Sequence, residues 1–312
     1  MSRKFSALVI GIGALVIFVV LIFRSLQISD AQEKRLVPDG KILVTTSFYP
    51  LAEFTKQVGQ ELIDVHNLTP AGSEPHDFDP SPQDLVLLEN SKLFVYNGAG
   101  LELWLSKLGD EIKQKVPMVN ASENIQLLQG SEEEEVIQTD PHVWMDPVLA
   151  SQEVESIKKG LIQIDPTHAI AYEQNAMKYQ TVLSNLDTEF RTGLTECRTR
   201  DIVTSHNAFQ YLGKRYGLNI LSISGLSPDE EPSPKKLAEV TQFVKKNNVK
   251  YIFFESLVSP KLSHTIAEET GAKTISFNPL EGLTMNELAE GKNYLTIQRE
   301  NLVALRTALE CK

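Results

Sequence analysis

One long uninterrupted helical stretch, set between two runs of alternating strands and helices, restricts this chain's fold more than any other feature. Before it, apolar runs at 41–46, 63–68 and 93–96 alternate with amphipathic stretches. After it, the alternation restarts with 201–204, 218–223, 251–254 and 274–277. Helix openings are marked by a capping residue followed by proline, as in Ser81-Pro82, Asp165-Pro166 and Ser233-Pro234. Alternation of this kind calls for parallel sheets covered by helices on both faces. From Asp165 to Glu196 only Gly193 interrupts a helix of about 30 residues, roughly 45 Å long at 1.5 Å per residue. That exceeds the width of a small domain, so the helix reads as a strut between lobes rather than part of either core. The expected architecture is α/β: two parallel-sheet lobes, 38–165 and 196–312, joined by one rigid helix over 166–195.

Charge narrows the function. Against 30 Lys and Arg stand 41 Asp and Glu, a formal net charge of −11, which argues against nucleic acid as the main partner and suits a body that attracts cations. Arg3 and Lys4 precede an apolar run at 7–23 without a polar side chain. As a helix this run would reach about 26 Å, slightly short of a hydrocarbon core of about 30 Å. It reads as an uncleaved membrane anchor with its basic end in the cytoplasm, and 1–37 as anchor and stalk. A cleaved signal peptide is the rival, but only the poor site Ser29-Asp30-Ala31 follows. Export would permit a disulfide. A Cys197–Cys311 bridge would pin the C-terminus to the second lobe; two separate buried thiols are the alternative.

Of the six histidines, three follow strand or loop elements beside turn residues, where α/β folds present ligand groups. His76 lies in Glu74-Pro75-His76-Asp77-Phe78-Asp79-Pro80, and His142 in Asp140-Pro141-His142-Val143-Trp144-Met145-Asp146-Pro147. His206 lies in Thr204-Ser205-His206-Asn207. Singly, each is more readily a satisfied polar residue than a ligand. Three together at strand exits, two ringed by acids and prolines, point to a shared site.

These segments, with Ser47-Phe48-Tyr49-Pro50, Phe254-Glu255-Ser256, Pro279-Leu280-Glu281-Gly282-Leu283 and the closing 294–301, resemble the metal-binding solute receptors of zinc and manganese ABC transporters, the ZnuA/TroA-like family. The resemblance covers nearly all of 41–312. It implies an extracytoplasmic receptor, acting as a monomer, that holds a divalent ion between its lobes and delivers it to an ABC-transporter membrane permease. It also implies that His76 and His142 come from the first lobe and His206 from the second. The family's fourth ligand is a carboxylate, sometimes replaced by water, after the last strand; Glu281 is the candidate, and Glu255 is held in reserve behind the ligands.

Three imidazoles and a carboxylate suit Zn²⁺, whereas a site richer in carboxylates suits Mn²⁺. The family's manganese receptors usually carry a carboxylate at the third position, so His206 favours zinc. Asp77, Asp140 and Asp146 are candidate partners for the far ring nitrogens. Two departures stand out. The histidine-rich loop of many zinc members is replaced here by Glu132-Glu133-Glu134-Glu135, and no lipid-accepting cysteine follows the apolar run. A zinc hydrolase is the catalytic alternative, without a His-Glu-x-x-His helix or a nucleophile elbow to support it; an adhesin is the third class.

Overall fold

The computed structural model describes residues 40–130 and 138–312. The proposed anchor and stalk and the acidic run at 132–135 lie outside the described residues. The first lobe begins with β1 (Ile42–Thr46), α1 (Tyr49–Gly59), β2 (Ile63–Asn67), α2 (Pro82–Asn90) and β3 (Leu93–Tyr96). It continues with α3 (Asp110–Lys115), β4 (Met118–Asn120) and α4 (Pro147–Ile164). The long helix α5 spans Ala169–Gly193. The second lobe follows as β5 (Asp201–Thr204), α6 (Gln210–Tyr216), β6 (Asn219–Ser222), α7 (Pro234–Asn247) and β7 (Tyr251–Phe254). It closes with α8 (Lys261–Thr270), β8 (Lys273–Ser276), α9 (Met285–Ala289) and α10 (Tyr294–Ala308).

Both sheets are parallel throughout, and both use the same strand order, β2-β1-β3-β4 and β6-β5-β7-β8. Their central strands are apolar on both faces, as burial between helix layers demands: in β1, Leu43 is 3% and Val44 0% exposed. The expected proline starts are real. Ser81 forms a capping box with Asp84 ahead of Pro82, and Ser233 accepts from the Lys236 amide ahead of Pro234.

The long helix differs from the expectation in two ways. A 3₁₀ turn, Pro166–His168, precedes it, and it ends at Gly193, giving 25 α-helical residues. Nor is it a bare strut, because Tyr172, Ala176, Tyr179, Leu183, Leu186 and Phe190 form one buried stripe at helical spacing. That stripe belongs to a single apolar cluster running from Val44 and Phe54 in the first lobe to Tyr294 and Leu305 in the last helix. Smaller clusters lie around Ile252 and Val240 and around Phe94 and Trp104. Between β3 and α3 the chain forms a 3₁₀ turn, Leu103–Lys107. Cys197 and Cys311 form a disulfide that ties the chain's end to the segment entering β5.

Leu128, Asp140, Trp144 and Met145, between β4 and α4, bridge the lobes. Trp144 Nε1 donates to Pro279 O at 2.7 Å, Tyr294 Oη donates to Trp144 O at 2.6 Å, and Gln298 Nε2 donates to Met145 O at 3.2 Å. Tyr211 Oη donates to Asp140 O at 2.7 Å and accepts from the Leu128 amide at 2.9 Å. These buried polar groups are satisfied across the interface, so the lobes share one interior.

Candidate metal centre

His76 follows β2, His142 follows β4, His206 follows β5 and Glu281 follows β8, so each reaches inward from the carboxyl end of a parallel strand. All four are buried: His142, His206 and Glu281 are 0% exposed and His76 6%. Their ligand-type atoms lie within 4.8 Å of one another. His142 Nε2 is 3.3 Å from His76 Nε2 and 3.4 Å from His206 Nε2. Glu281 Oε1 is 3.4 Å from His76 Nε2 and 3.1 Å from the Nε2 atoms of His142 and His206. A tetrahedron with metal–nitrogen bonds of about 2.0–2.1 Å has edges of about 3.3–3.4 Å. The cluster therefore has the size and donor set to hold one small divalent cation in four-coordination.

The rings are turned toward that centre by carboxylates behind them. His142 Nδ1 donates to Asp140 Oδ1 at 2.8 Å, and the same oxygen accepts the His142 amide at 2.9 Å. His206 Nδ1 donates to Glu255 Oε1 at 2.7 Å; Ser205 Oγ donates to that oxygen as well. A proton fixed on Nδ1 leaves the Nε2 lone pair for a metal. His76 lacks this support: its Nδ1 has no hydrogen-bond partner among the described residues. Its loop is held instead by the His76 amide donating to Glu74 Oε1 at 3.3 Å.

Electrostatics follow the same asymmetry. Burial opposes charge on every imidazole, and at His76 it wins, lowering the pKa. At His142 it is outweighed by the hydrogen bonds with Asp140 and Glu281, which raise the pKa. At His206 it is outweighed by the charges of Glu255 and Glu281, which hold the pKa well above the ordinary value. Burial would raise Glu281, yet His206 and the hydrogen bonds from the three rings hold it well below the carboxylate range. Burial and the neighbouring Glu281 push Glu74 up to about 10.

The structure brings together the four residues singled out from the sequence and leaves the other three histidines elsewhere. His66 faces Asp64, His168 faces Asp165, and His264 faces Thr274. Of the three aspartates expected behind the rings, only Asp140 is there. Asp146 caps α4 and pairs with Arg215 of α6, an ion pair between lobes. Asp77 is exposed and hydrogen-bonds to Asp229, whose pKa that bond, with burial, raises to about 6. Glu255 stands behind His206, outside the cluster. Sequence reasoning missed Glu74, although it lies two residues before His76. It also missed Glu102, a buried carboxylate that accepts from Ser47 Oγ at 2.6 Å and from the amides of Asn97 and Gly98 at 2.7 and 3.0 Å. Asn97 Nδ2 in turn donates to Pro141 O at 3.0 Å, steadying the residue before His142. The glycine-rich exit from β3 was the available signal.

Leu280, the residue before Glu281, is fully buried and has φ 60. A non-glycine residue held there stores about 1–3 kcal/mol of strain, which the surroundings must over-determine. Gly282 then packs beside Leu257 and Ser73, where an added Cβ would lie 3.2 Å from Leu257 Cδ1 and 3.4 Å from Ser73 O. The Gly72 amide donates to Leu283 O at 3.0 Å, joining the loops that carry His76 and Glu281.

Such a fold and cluster define a two-lobed α/β binding protein with an imidazole–carboxylate centre where its lobes meet. The chain belongs to the ZnuA family: it matches the family described as zinc-uptake complex component A, periplasmic, over residues 44–308. It is 41% identical over 283 residues to the high-affinity zinc uptake system protein ZnuA of Bacillus subtilis, covering 87% of this chain and 89% of that one. Among solved structures it resembles the laminin-binding protein Lmb of Streptococcus agalactiae, described as a bifunctional protein with adhesin and metal-transporting activity. That match has a TM-score of 0.79 and 39% identity, over 86% of this chain and 99% of that one. It also resembles Zn(II)-bound AdcA of Streptococcus pneumoniae, with a TM-score of 0.77 and 40% identity. There the match covers 88% of this chain but only 59% of the longer AdcA.

Proposed function

We propose that this protein is an extracytoplasmic receptor that captures Zn²⁺ between its lobes, with His76, His142, His206 and Glu281 as ligands, and delivers it to an ABC-transporter permease. The observation that carries this reading is the 3.1–3.4 Å spacing of the Nε2 and Oε1 atoms, which matches the edges of a four-coordinate zinc site. Three nitrogens against one carboxylate favour zinc over Mn²⁺, which prefers harder oxygen sites. The Zn(II)-bound relative supports the same choice. Capture needs no chemistry beyond exchange of the ion's water shell for four protein donors, with Asp140 and Glu255 holding two rings in the binding tautomer.

The run at 7–23 is proposed as the tether that holds the receptor, as a single chain, beside its permease, in place of a lipid anchor. Among the described residues no helix is long and apolar enough to cross a membrane.

The test is zinc titration of the full chain in detergent against a competing chelator, with elemental analysis for stoichiometry. One zinc per chain is expected. Zinc must displace protons from His142 and His206, whose pKa values are raised, so affinity should fall steeply between pH 7.5 and 5.5 and still be rising above pH 6.5. Equal affinity at the two pH values would rule out imidazole ligation. Zinc-dependent uptake by cells carrying the receptor and permease, lost on deletion of the receptor, tests delivery.

A further inference from the structure

Glu281 enters the cluster through a turn built by two asparagines, one of them on a distant helix. Asn301 of α10 is 2% exposed and Asn278, just after β8, is 5% exposed. Asn301 Oδ1 accepts the Asn278 amide at 2.9 Å, and Asn301 Nδ2 donates to Asn278 O at 2.7 Å. Both main-chain groups of one residue are thus held by a single side chain. Asn278 in turn uses its own Oδ1 to accept the Leu280 amide at 2.7 Å, closing a local turn onto the left-handed residue. Its Nδ2 donates to Ser256 Oγ and Glu287 Oε1, each at 3.3 Å. The remaining carbonyl of the turn, Pro279 O, is held from the other lobe by Trp144.

We infer that Asn301, acting through Asn278, is a positioning residue for metal capture: it holds Leu280 at positive φ and so sets the reach of the Glu281 carboxylate. This rests on the zinc reading above. The physical argument is that a strained residue keeps its conformation only while its surroundings over-determine it. Without the Asn301 clamp, Asn278 loses both main-chain partners and the turn relaxes toward negative φ. Glu281, next in the chain, then moves off the vertex where Oε1 lies 3.1 Å from two ring nitrogens. The side-chain hydrogen bonds of Asn301 go to Asn278 and not to the ligand atoms, so its influence passes through the turn.

A double-mutant cycle on zinc affinity in the full chain tests this, with Asn301→Ala, Glu281→Ala and the pair. Asn301→Ala should weaken zinc binding about 10-fold or more, in the range known for residues that support metal ligands. In the Glu281→Ala background the same change should cost less than about 2-fold, because the group it positions is gone. Unchanged affinity in Asn301→Ala would overturn the inference, and so would an equal loss in both backgrounds, which marks a merely structural role. Should Asn301→Ala fail to fold, Asn301→Asp keeps an acceptor for the Asn278 amide but sets a carboxylate oxygen in place of the donor against Asn278 O, and the same two readings apply to it. The zinc reading fails separately, if the wild-type chain binds no zinc or Glu281→Ala binds as well as wild type.

Discussion

His76, His142 and His206 differ in what stands behind the ring, and that difference should govern their response to substitution. Removing Glu255 or Asp140 frees an Nδ1 proton and lets the ring choose the wrong tautomer. Glu255→Gln and Asp140→Asn should each lower zinc affinity about 10–100-fold, measured by chelator competition, whereas His168→Ala and His264→Ala should leave it unchanged. The site was partly legible in sequence because strand-exit loops of parallel sheets carry ligands, and these histidines lie among turn residues. Resemblance, more than spacing, singled out Glu281. Asn301 ends the segment 294–301 that helped carry the resemblance, but its role was not legible, because only tertiary contact joins it to Asn278. Asp77 and Asp146 misled for the converse reason, since adjacency in the chain does not say which way a carboxylate turns.

At the scale of elements, length decided what could be read. Strands flanked by capped helices were evident, as at Ser81-Pro82 and Ser233-Pro234. The three-residue β4, Met118–Asn120, and the six-residue α3, Asp110–Lys115, are too short to show a period. The packing of α4 on β4 yields a test whose sign depends on magnitudes. Gly160 lies within α4, where alanine is ordinarily favoured by about 1 kcal/mol. Here an added Cβ would stand 2.3 Å from Val119 Cγ2, and valine is stiff at χ1. Overpacking costs about 1–3 kcal/mol, so Gly160→Ala should destabilise the protein in denaturant unfolding. A gain in stability would mean that the sheet yields more easily than its packing implies.

Across the whole molecule, the division into two lobes that the sequence suggests is a division of sheets more than of interiors, for beside a smaller cluster in each lobe one large apolar cluster spans both. The apolar cluster passes from the first lobe through α5 into the last helix without a break. Metal-free protein should therefore unfold in one transition, with tyrosine or tryptophan fluorescence and circular dichroism coinciding; two separated transitions would show independent lobes. Zinc at about 1,000 times its dissociation constant should add about 4 kcal/mol to that single transition. Without metal, the pairing of Glu281 with His142 and His206 contributes stability in a bounded window. It is lost at high pH as the raised histidines deprotonate, and at low pH as the depressed carboxylate protonates.

The continuity of that interior also has a consequence for the order of manufacture. Phe54 stacks edge-on against Tyr294 at 4.9 Å, and Tyr294 ties down Trp144. The half of the protein made first therefore waits, with part of its greasy surface bare, until the final helix emerges from the ribosome. During that interval the nascent chain depends on whatever escorts it, and truncations near the C-terminus should harm the beginning of the molecule as much as its end.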